Sequence, residues 1–361
     1  MPLRAFVNEI ETISIDLDNE SWSELKKLVK SHSSIVRLPC CNQNGYLRTS
    51  STGLKHFVHS KSQHNCDWKP ESAEHLKSKI EIIEACKESG WKAIPEFTEN
   101  NWRADVLAIR GETRIAFEVQ WSKQTLQETK FRQERYKNSS VRGCWFFKTA
   151  PKEMRKFVEP DLKADNEIPA FKIFTDENSN IQAQLNSEQL PLRSLVNNLL
   201  NRRLKICKKI RAKTKQEVEL IFFETDCWKC EKPQHLWTVE QNLIAACDLT
   251  YLSNGNLWNC TELDKNPAIY KAVQAILKTN AGSSLRIGKL KYRFQKKNNK
   301  SILSHGCFFC DSIFSDYYLK PEKIHSYYDT RNIRKKVDLE MNDIRVEFEH
   351  WCFSENGDFC E

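Results

Sequence analysis

Residues 103–122 read RADVLAIRGETRIAFEVQWS, and they decide how the chain folds. Two apolar runs of strand composition, 103–110 and 113–120, flank Arg110-Gly111-Glu112, a tight turn between paired strands. Each run carries one acid where a core residue belongs: Asp105 in the first, Glu118 in the second. A turn centred between residues 111 and 112 pairs positions whose numbers sum to 223, so the register sets Asp105 opposite Glu118. Glu118 and Gln120 share a face, because side chains alternate along a strand. Arg103 shares a face with Asp105 by the same rule.

Two carboxylates side by side repel, and a divalent cation between them removes the penalty. Mg²⁺ or Mn²⁺ suits this arrangement, since it takes one or two carboxylates plus water and a phosphate oxygen. A plainer reading stays open, in which the acids form a cross-strand pair with Arg103 and Gln120 on a solvated face.

The surroundings read as alternating helix and strand. PESAEHLKSKIEIIEACKESG (70–90) is a helix opened by Pro70 and closed by Gly90. It carries Glu74, with Glu71 and His75 close to its face, as a candidate third acid. Strands are expected at 91–97, 142–148 and 170–175, and a polar helix at 123–138 carries Arg132, Arg135 and Tyr136, candidate holders of backbone phosphates. The order helix, three strands, helix, strand is an α/β (α+β) pattern.

Blocks of this region resemble the competence protein CoiA-like nucleases, a branch of the PD-(D/E)xK superfamily. They are CDWKPESAEHLKSK (66–79), WRADVLA (102–108), AFEVQWS (116–122), RQERY (132–136) and GCWFF (143–147), in that order. The resemblance spans about residues 35–150. It implies a restriction-endonuclease-like mixed sheet between helices, with Asp105, Glu118 and the Val119 carbonyl as metal ligands. Gln120 stands where the superfamily usually has lysine. Its amide can orient water or contact phosphate but carries no charge. In the family a cysteine-containing segment and an H-F-x-H element precede the core; here the latter reads His56-Phe57-Val58-His59.

Fourteen cysteines are spread along the 361 residues. The N-terminal stretch MPLRAFVNEIETISIDLDNE has acids in its apolar part and is no signal peptide, and no run of 18 apolar residues offers a membrane span. A cytoplasmic chain is therefore expected, and its cysteines should be metal ligands or buried thiols rather than disulfides. Cys227-x-x-Cys230 and Cys307-x-x-Cys310 read as two knuckles for one tetrahedral Zn²⁺, a zinc ribbon with a long insertion, with two buried cysteine turns or a redox pair as the alternative. Cys40, Cys41, His59, His64 and Cys66 offer a second zinc, with Cys41, His59 and Cys66 foremost. Cysteines 86, 144, 207, 247, 260, 352 and 360 show no ligand spacing and read as core filling.

Lys and Arg outnumber Asp and Glu by 56 to 48, a surplus of 8 that permits a DNA partner without requiring one. PLRSLVNNLLNRRLKICKKIRAK (191–213) reads as one helix turning basic after Asn201. Its Arg202, Arg203 and Lys208, with Lys205, Lys209, Arg211 and Lys213, make a track for a phosphate backbone, and Lys296, Lys297 and Lys300 a second.

Three divisions are expected: a β-rich Cys/His module over 1–69, a nuclease-like core over 70–187, and a helical, zinc-ribbon-like region over 188–361. The expected activity is metal-dependent hydrolysis of DNA phosphodiesters at a D-E-Q site; the family allows a homodimer. Two alternatives stay open: a DNA-binding accessory protein without cleavage, and a zinc-dependent scaffold that recruits a protein through apolar residues such as Phe308, Phe309, Tyr317 and Tyr318.

Overall fold

A computed structural model describes residues 2–60, 66, 71–155, 162–186, 188–211, 213–239, 243–244, 246–247, 251–252, 267–295, 299–314, 332–340 and 345–360. His64, Cys260, Lys296, Lys297, Tyr317 and Tyr318 lie outside the described residues. The chain divides into two compact units, Met1–Ile206 with Glu355–Gly357, and Cys207–Ser354 with Asp358–Glu361. The expected 1–69 and 70–187 divisions share the first unit, which also takes in the start of the third.

The first unit begins with β1 (Arg4–Val7), β2 (Ile10–Ile13), α1 (Asn19–Lys30), β3 (Val36–Arg37), β4 (Gly45–Thr49) and β5 (Lys55–His59). Strands β2-β1-β3 make one small sheet and β4-β5 another. Trp22 of α1 meets Phe57 of β5 edge-on at 5.5 Å, in a core with Ala5, Val36, Leu38 and Leu47.

Then come α2 (Ala73–Glu88), β6 (Lys92–Glu99), β7 (Trp102–Arg110), β8 (Thr113–Gln120), α3 (Leu126–Asn138), β9 (Arg142–Phe147), β10 (Ala170–Thr175), β11 (Ile181–Leu185), β12 (Glu188–Pro191) and α4 (Leu192–Leu200). The seven strands form one sheet in the order β12-β11-β10-β9-β8-β7-β6. It is mixed: β8-β9 and β9-β10 run parallel, while β6-β7-β8 and β10-β11-β12 are antiparallel meanders. The parallel pair β8-β9 needs a crossover, and α3 supplies it. This is the mixed α/β class with helices flanking a central sheet.

Local chemistry explains the elements. Ser72 caps α2 by accepting the His75 N–H at 3.2 Å, and Gly90, at φ +71°, lets the chain leave the helix. Thr125 and Glu128 form a capping box on α3. Gly111, at φ +58°, makes the β7-β8 turn, and the hairpin pairs Arg110 with Thr113 through Val106 with Phe117, each pair summing to 223. Phe117 stacks on Phe146 at a centroid distance of 6.0 Å, and Phe171 meets Phe146 tilted at 6.1 Å. Trp102, Trp145 and Phe147 cluster with Tyr136 of α3. Burial of each such ring contributes on the order of 1.5–3 kcal/mol.

The expected helix over 191–213 is corrected. α4 ends at Leu200, Arg202 takes φ +58°, and residues Leu204–Arg211 are β13, a strand. The apolar spacing changes there, from helical (Leu192, Leu195, Val196, Leu200) to a strand pattern burying Leu204, Ile206, Cys207 and Ile210. The basic residues therefore do not share one helix face.

The second unit continues with β14 (Lys215–Asp226), β15 (Pro233–Val239), β16 (Leu243–Ile244), β17 (Tyr251–Leu252), α5 (Pro267–Leu277), β18 (Lys291–Gln295), β19 (Lys300–Gly306), β20 (Ile313–Phe314), β21 (Ile333–Glu340) and β22 (Arg345–Phe353). Its sheets are small: β15-β14-β21, β18-β19-β20, and the pairs β13-β22 and β16-β17. Ile269 and Val273 of α5 join Val218, Leu220, Phe222, Trp237 and Leu339 in its core.

Candidate active site and cysteine clusters

Asp105 sits at a gap in both ladders of its strand. Between β6 and β7, pairing passes from Pro95–Val106 to Phe97–Ala104, skipping Glu96 and Asp105; Glu96 is at φ +47°. Between β7 and β8, pairing stops at Val106–Phe117, and β8 runs on beside β9 as far as Gln120–Phe147. The sheet forks at this point. The Asp105 carboxylate accepts the Val119 N–H at 2.8 Å, so a side chain replaces the missing backbone partner.

A cleft of about 830 Å³ opens at the fork. It is lined by Glu71, Glu74, His75, Arg103, Asp105, Glu118, Val119, Gln120, Trp121, Arg132 and Lys148, among others. Glu71, His75 and Asp105 each offer one ligand atom, all within 4.8 Å of one another. His75 Nε2 is 3.4 Å from Asp105 Oδ2, buried, and without a hydrogen-bond partner. An imidazole nitrogen gathered with two carboxylates fits a cation.

Glu118 is held differently. It is fully buried; Arg132 of α3 pairs with it at 2.5 Å, and the Tyr136 hydroxyl donates to it. Gln120 Nε2 donates to it at 3.4 Å. The acids thus sit in opposed environments. Burial pushes Asp105 up, but His75, Lys79 and the Val119 N–H outweigh it and hold the carboxyl well below the usual range. Burial dominates at Glu118 and pushes it up to about 8, with Arg132 opposing and Asp105 adding.

The structure gives the other expected site residues distinct places. Arg103 and Glu74 line the cleft, both half-buried. Tyr136 is buried, with its hydroxyl on Glu118 and the Arg103 carbonyl. It positions the acid rather than meeting a phosphate, which corrects its place among nucleic-acid contacts. Arg135 donates to the Asn101 carbonyl at 2.8 Å and lies over Phe131. Arg202, Arg203 and Lys208 are exposed, the first two in the α4-β13 turn and the third on β13.

Lys148 was missed by motif reading. It follows β9, its N–H donates to the Gln120 carbonyl at 2.9 Å, and its ammonium lies 5.2 Å from the Trp121 ring centroid. Only the parallel β8-β9 register reveals it beside Gln120.

Two expected cysteine clusters assemble. Among the ribbon cysteines, Cys227 and Cys310 sulfurs are 3.8 Å apart and Cys230 and Cys307 sulfurs 3.7 Å. Zinc–sulfur bonds of about 2.3 Å in a tetrahedron put sulfurs about 3.8 Å apart, whereas a disulfide needs about 2.05 Å. The knuckles match each other: Glu231 and Asp311 follow the second cysteine at φ +58° and +56°, and each donates its N–H to the first cysteine's carbonyl. Near the N-terminus, Cys40, Cys41, His59 and Cys66 place ligand atoms within 4.8 Å, which adds Cys40 to the foremost three. His56 lies elsewhere, its Nδ1 on the Leu54 carbonyl at 3.0 Å. Both sets can hold zinc.

Among the described residues no helix is long and apolar enough to cross a membrane. No curated protein matches the chain. One solved structure, titled "Crystal Structure of Protein of Unknown Function AF1548", shares 17% identity over 22% of this chain and 50% of its own, with a TM-score of 0.19. The chain thus spans half that protein's length, and so slight a likeness carries no argument. The family model described as "Competence protein CoiA, nuclease-like domain" matches residues 71–163, which include the acids, the imidazole and the lysine of the cleft. Over residues 71–163 the chain is therefore similar to the CoiA nuclease-like domain.

Proposed function

We propose that the protein is a metal-dependent deoxyribonuclease that hydrolyses DNA phosphodiester bonds at the fork between β7 and β8. The observation that carries this is the convergence of Glu71, His75 and Asp105 within 4.8 Å, in a cleft also lined by Arg103, Arg132 and Lys148. These three residues would hold the ion; Glu118 and Gln120 complete the D-E-Q set. Carboxylates suit Mg²⁺ and Mn²⁺ alike, and the imidazole favours Mn²⁺. When bound, the ion supplies a nucleophilic water and neutralises phosphate charge.

The chain's own groups have separable tasks. Lys148 and Arg103 offer cations to the phosphate oxygens, the charge that Gln120 lacks. The Gln120 amide, which bonds Glu118 at 3.4 Å, would orient water or contact phosphate. Arg132 and Tyr136 keep Glu118 in the cleft. Zinc at Cys227/Cys230/Cys307/Cys310 and at Cys40/Cys41/His59/Cys66 would be structural, since four protein ligands leave no open position. Exposed Phe308, Phe309 and Trp228 at the knuckles offer a surface for DNA or a protein partner.

The test is cleavage of plasmid, linear and single-stranded DNA with Mn²⁺ or Mg²⁺, beside Asp105→Asn and Glu118→Ala. Metal-dependent cleavage lost in both variants supports the reading. DNA binding without cleavage on every substrate, unchanged in both variants, replaces it with a binding module.

A further inference from the structure

Three cysteines without ligand spacing meet one histidine inside the second unit. Cys247 follows β16, His350 and Cys352 lie on β22, and Cys360 lies beyond it. All four are buried, and their ligand atoms lie within 4.8 Å of one another. Residues 350 and 352 alternate along a strand, so both side chains leave the same face. The Cys247 sulfur is 3.7 Å from His350 Nε2, and the Cys360 N–H donates to the Cys352 sulfur at 3.4 Å.

Separate contacts bring the segments together. The Ala246 N–H donates to the Arg211 carbonyl at 2.8 Å, which seats Cys247 by β13, the partner of β22. Arg211 also pairs with Asp358 at 2.8 Å, which draws in the segment bearing Cys360. Core filling accounts for a buried thiol, but not for three buried thiols focused on one buried imidazole with their ligand atoms within 4.8 Å of one another.

We infer that Cys247, His350, Cys352 and Cys360 form a further, closed Cys₃His site for one Zn²⁺, distinct from the ribbon and the N-terminal cluster. Soft thiolates with one imidazole select zinc, and four buried protein ligands leave no room for substrate. The closed site joins the segment after β16, β22 and the segment beyond it, so its task is structural. This inference does not depend on the nuclease reading.

The experiment is zinc content per chain, by mass spectrometry of the metal, for the full chain and for Cys360→Ser, Cys247→Ser and Cys227→Ser. Cys360→Ser and Cys247→Ser should each lose one equivalent relative to wild type, and Cys227→Ser combined with Cys360→Ser should lose two. His350→Cys should keep the ion and His350→Ala release it, which separates ligation from misfolding. Cobalt-loaded wild type minus Cys360→Ser should show thiolate charge-transfer and tetrahedral d–d bands. Wild-type zinc content in Cys360→Ser and Cys247→Ser, or iron in place of zinc, would overturn the inference.

Discussion

Asp105 and Glu118 line the same cleft with opposite electrostatic fates, and the difference lies in what faces each of them. Asp105 has an imidazole, a lysine and a backbone N–H; Glu118 has deep burial opposed by Arg132. If Asp105 anchors the ion, Asp105→Asn should lower single-turnover DNA cleavage by more than ~100-fold, since even groups behind metal ligands act on a scale of 10–100-fold. Lys148→Ala should lower the cleavage rate by about 100-fold, the scale of one electrostatic donor, with partial recovery in Lys148→Arg and little change in DNA affinity. Equal rates for Lys148→Ala and wild type would remove it from the chemistry. His56 gives a pH dependence. Burial depresses its pKa, with the Leu54 carbonyl opposing and Arg48 adding. Its folded pKa lies below its unfolded one, so its stabilisation is complete above about pH 6.5 and is lost as pH falls. Urea midpoints at pH 7.5 and 5 should differ less for His56→Gln than for wild type. At this scale the hairpin register was legible, because a tight turn fixes it, but the ladder ends at Val106–Phe117, so Asp105 and Glu118 are not the cross-strand pair that the register implied. The imidazole's role and Lys148 were not legible, because each is brought to the cleft by another element.

Elements show where local pattern suffices. The helix over 70–90 and the hairpin are legible because capping residues, glycine and apolar period agree. The stretch 191–213 misleads because Asn201-Arg202-Arg203 contains neither glycine nor proline, yet the chain turns there at φ +58°. Helix α2 is joined to the sheet by a charge that no pattern reveals: Lys79 is fully buried, 2.7 Å from Glu71 and bonded to Glu96 of β6. Glu96 also accepts the Leu3 N–H at 3.2 Å, so one cluster joins α2, β6 and the chain's start. Removing one partner of a buried ionic set strands the others. Lys79→Met should therefore lower stability by about 3–5 kcal/mol, read from denaturant unfolding. A loss below 1 kcal/mol would show the acids to be hydrated or neutral.

For the whole molecule, the seven-stranded sheet holds together by packed aromatics, while the second unit spreads its residues over small sheets and two cysteine clusters. Composition told of metal or thiol chemistry but not of this division, since knuckles announce themselves by spacing and the Cys₃His set does not. Cys227→Ser should expose residues 207–354 to limited proteolysis while 71–155 stays protected. Simultaneous digestion of both regions would show that they unfold as one.

The two ribbon knuckles are separated by 76 residues, 231–306. An ion shared between them closes a loop of that length, and the chain freedom removed from the unfolded ensemble amounts to roughly 4–5 kcal/mol in a cross-link model. Each knuckle is local and quick to form, but their meeting is a search through a long tether. Refolding of the second unit should therefore be slow beside that of the sheet, and its rate should depend on when in the search the metal arrives.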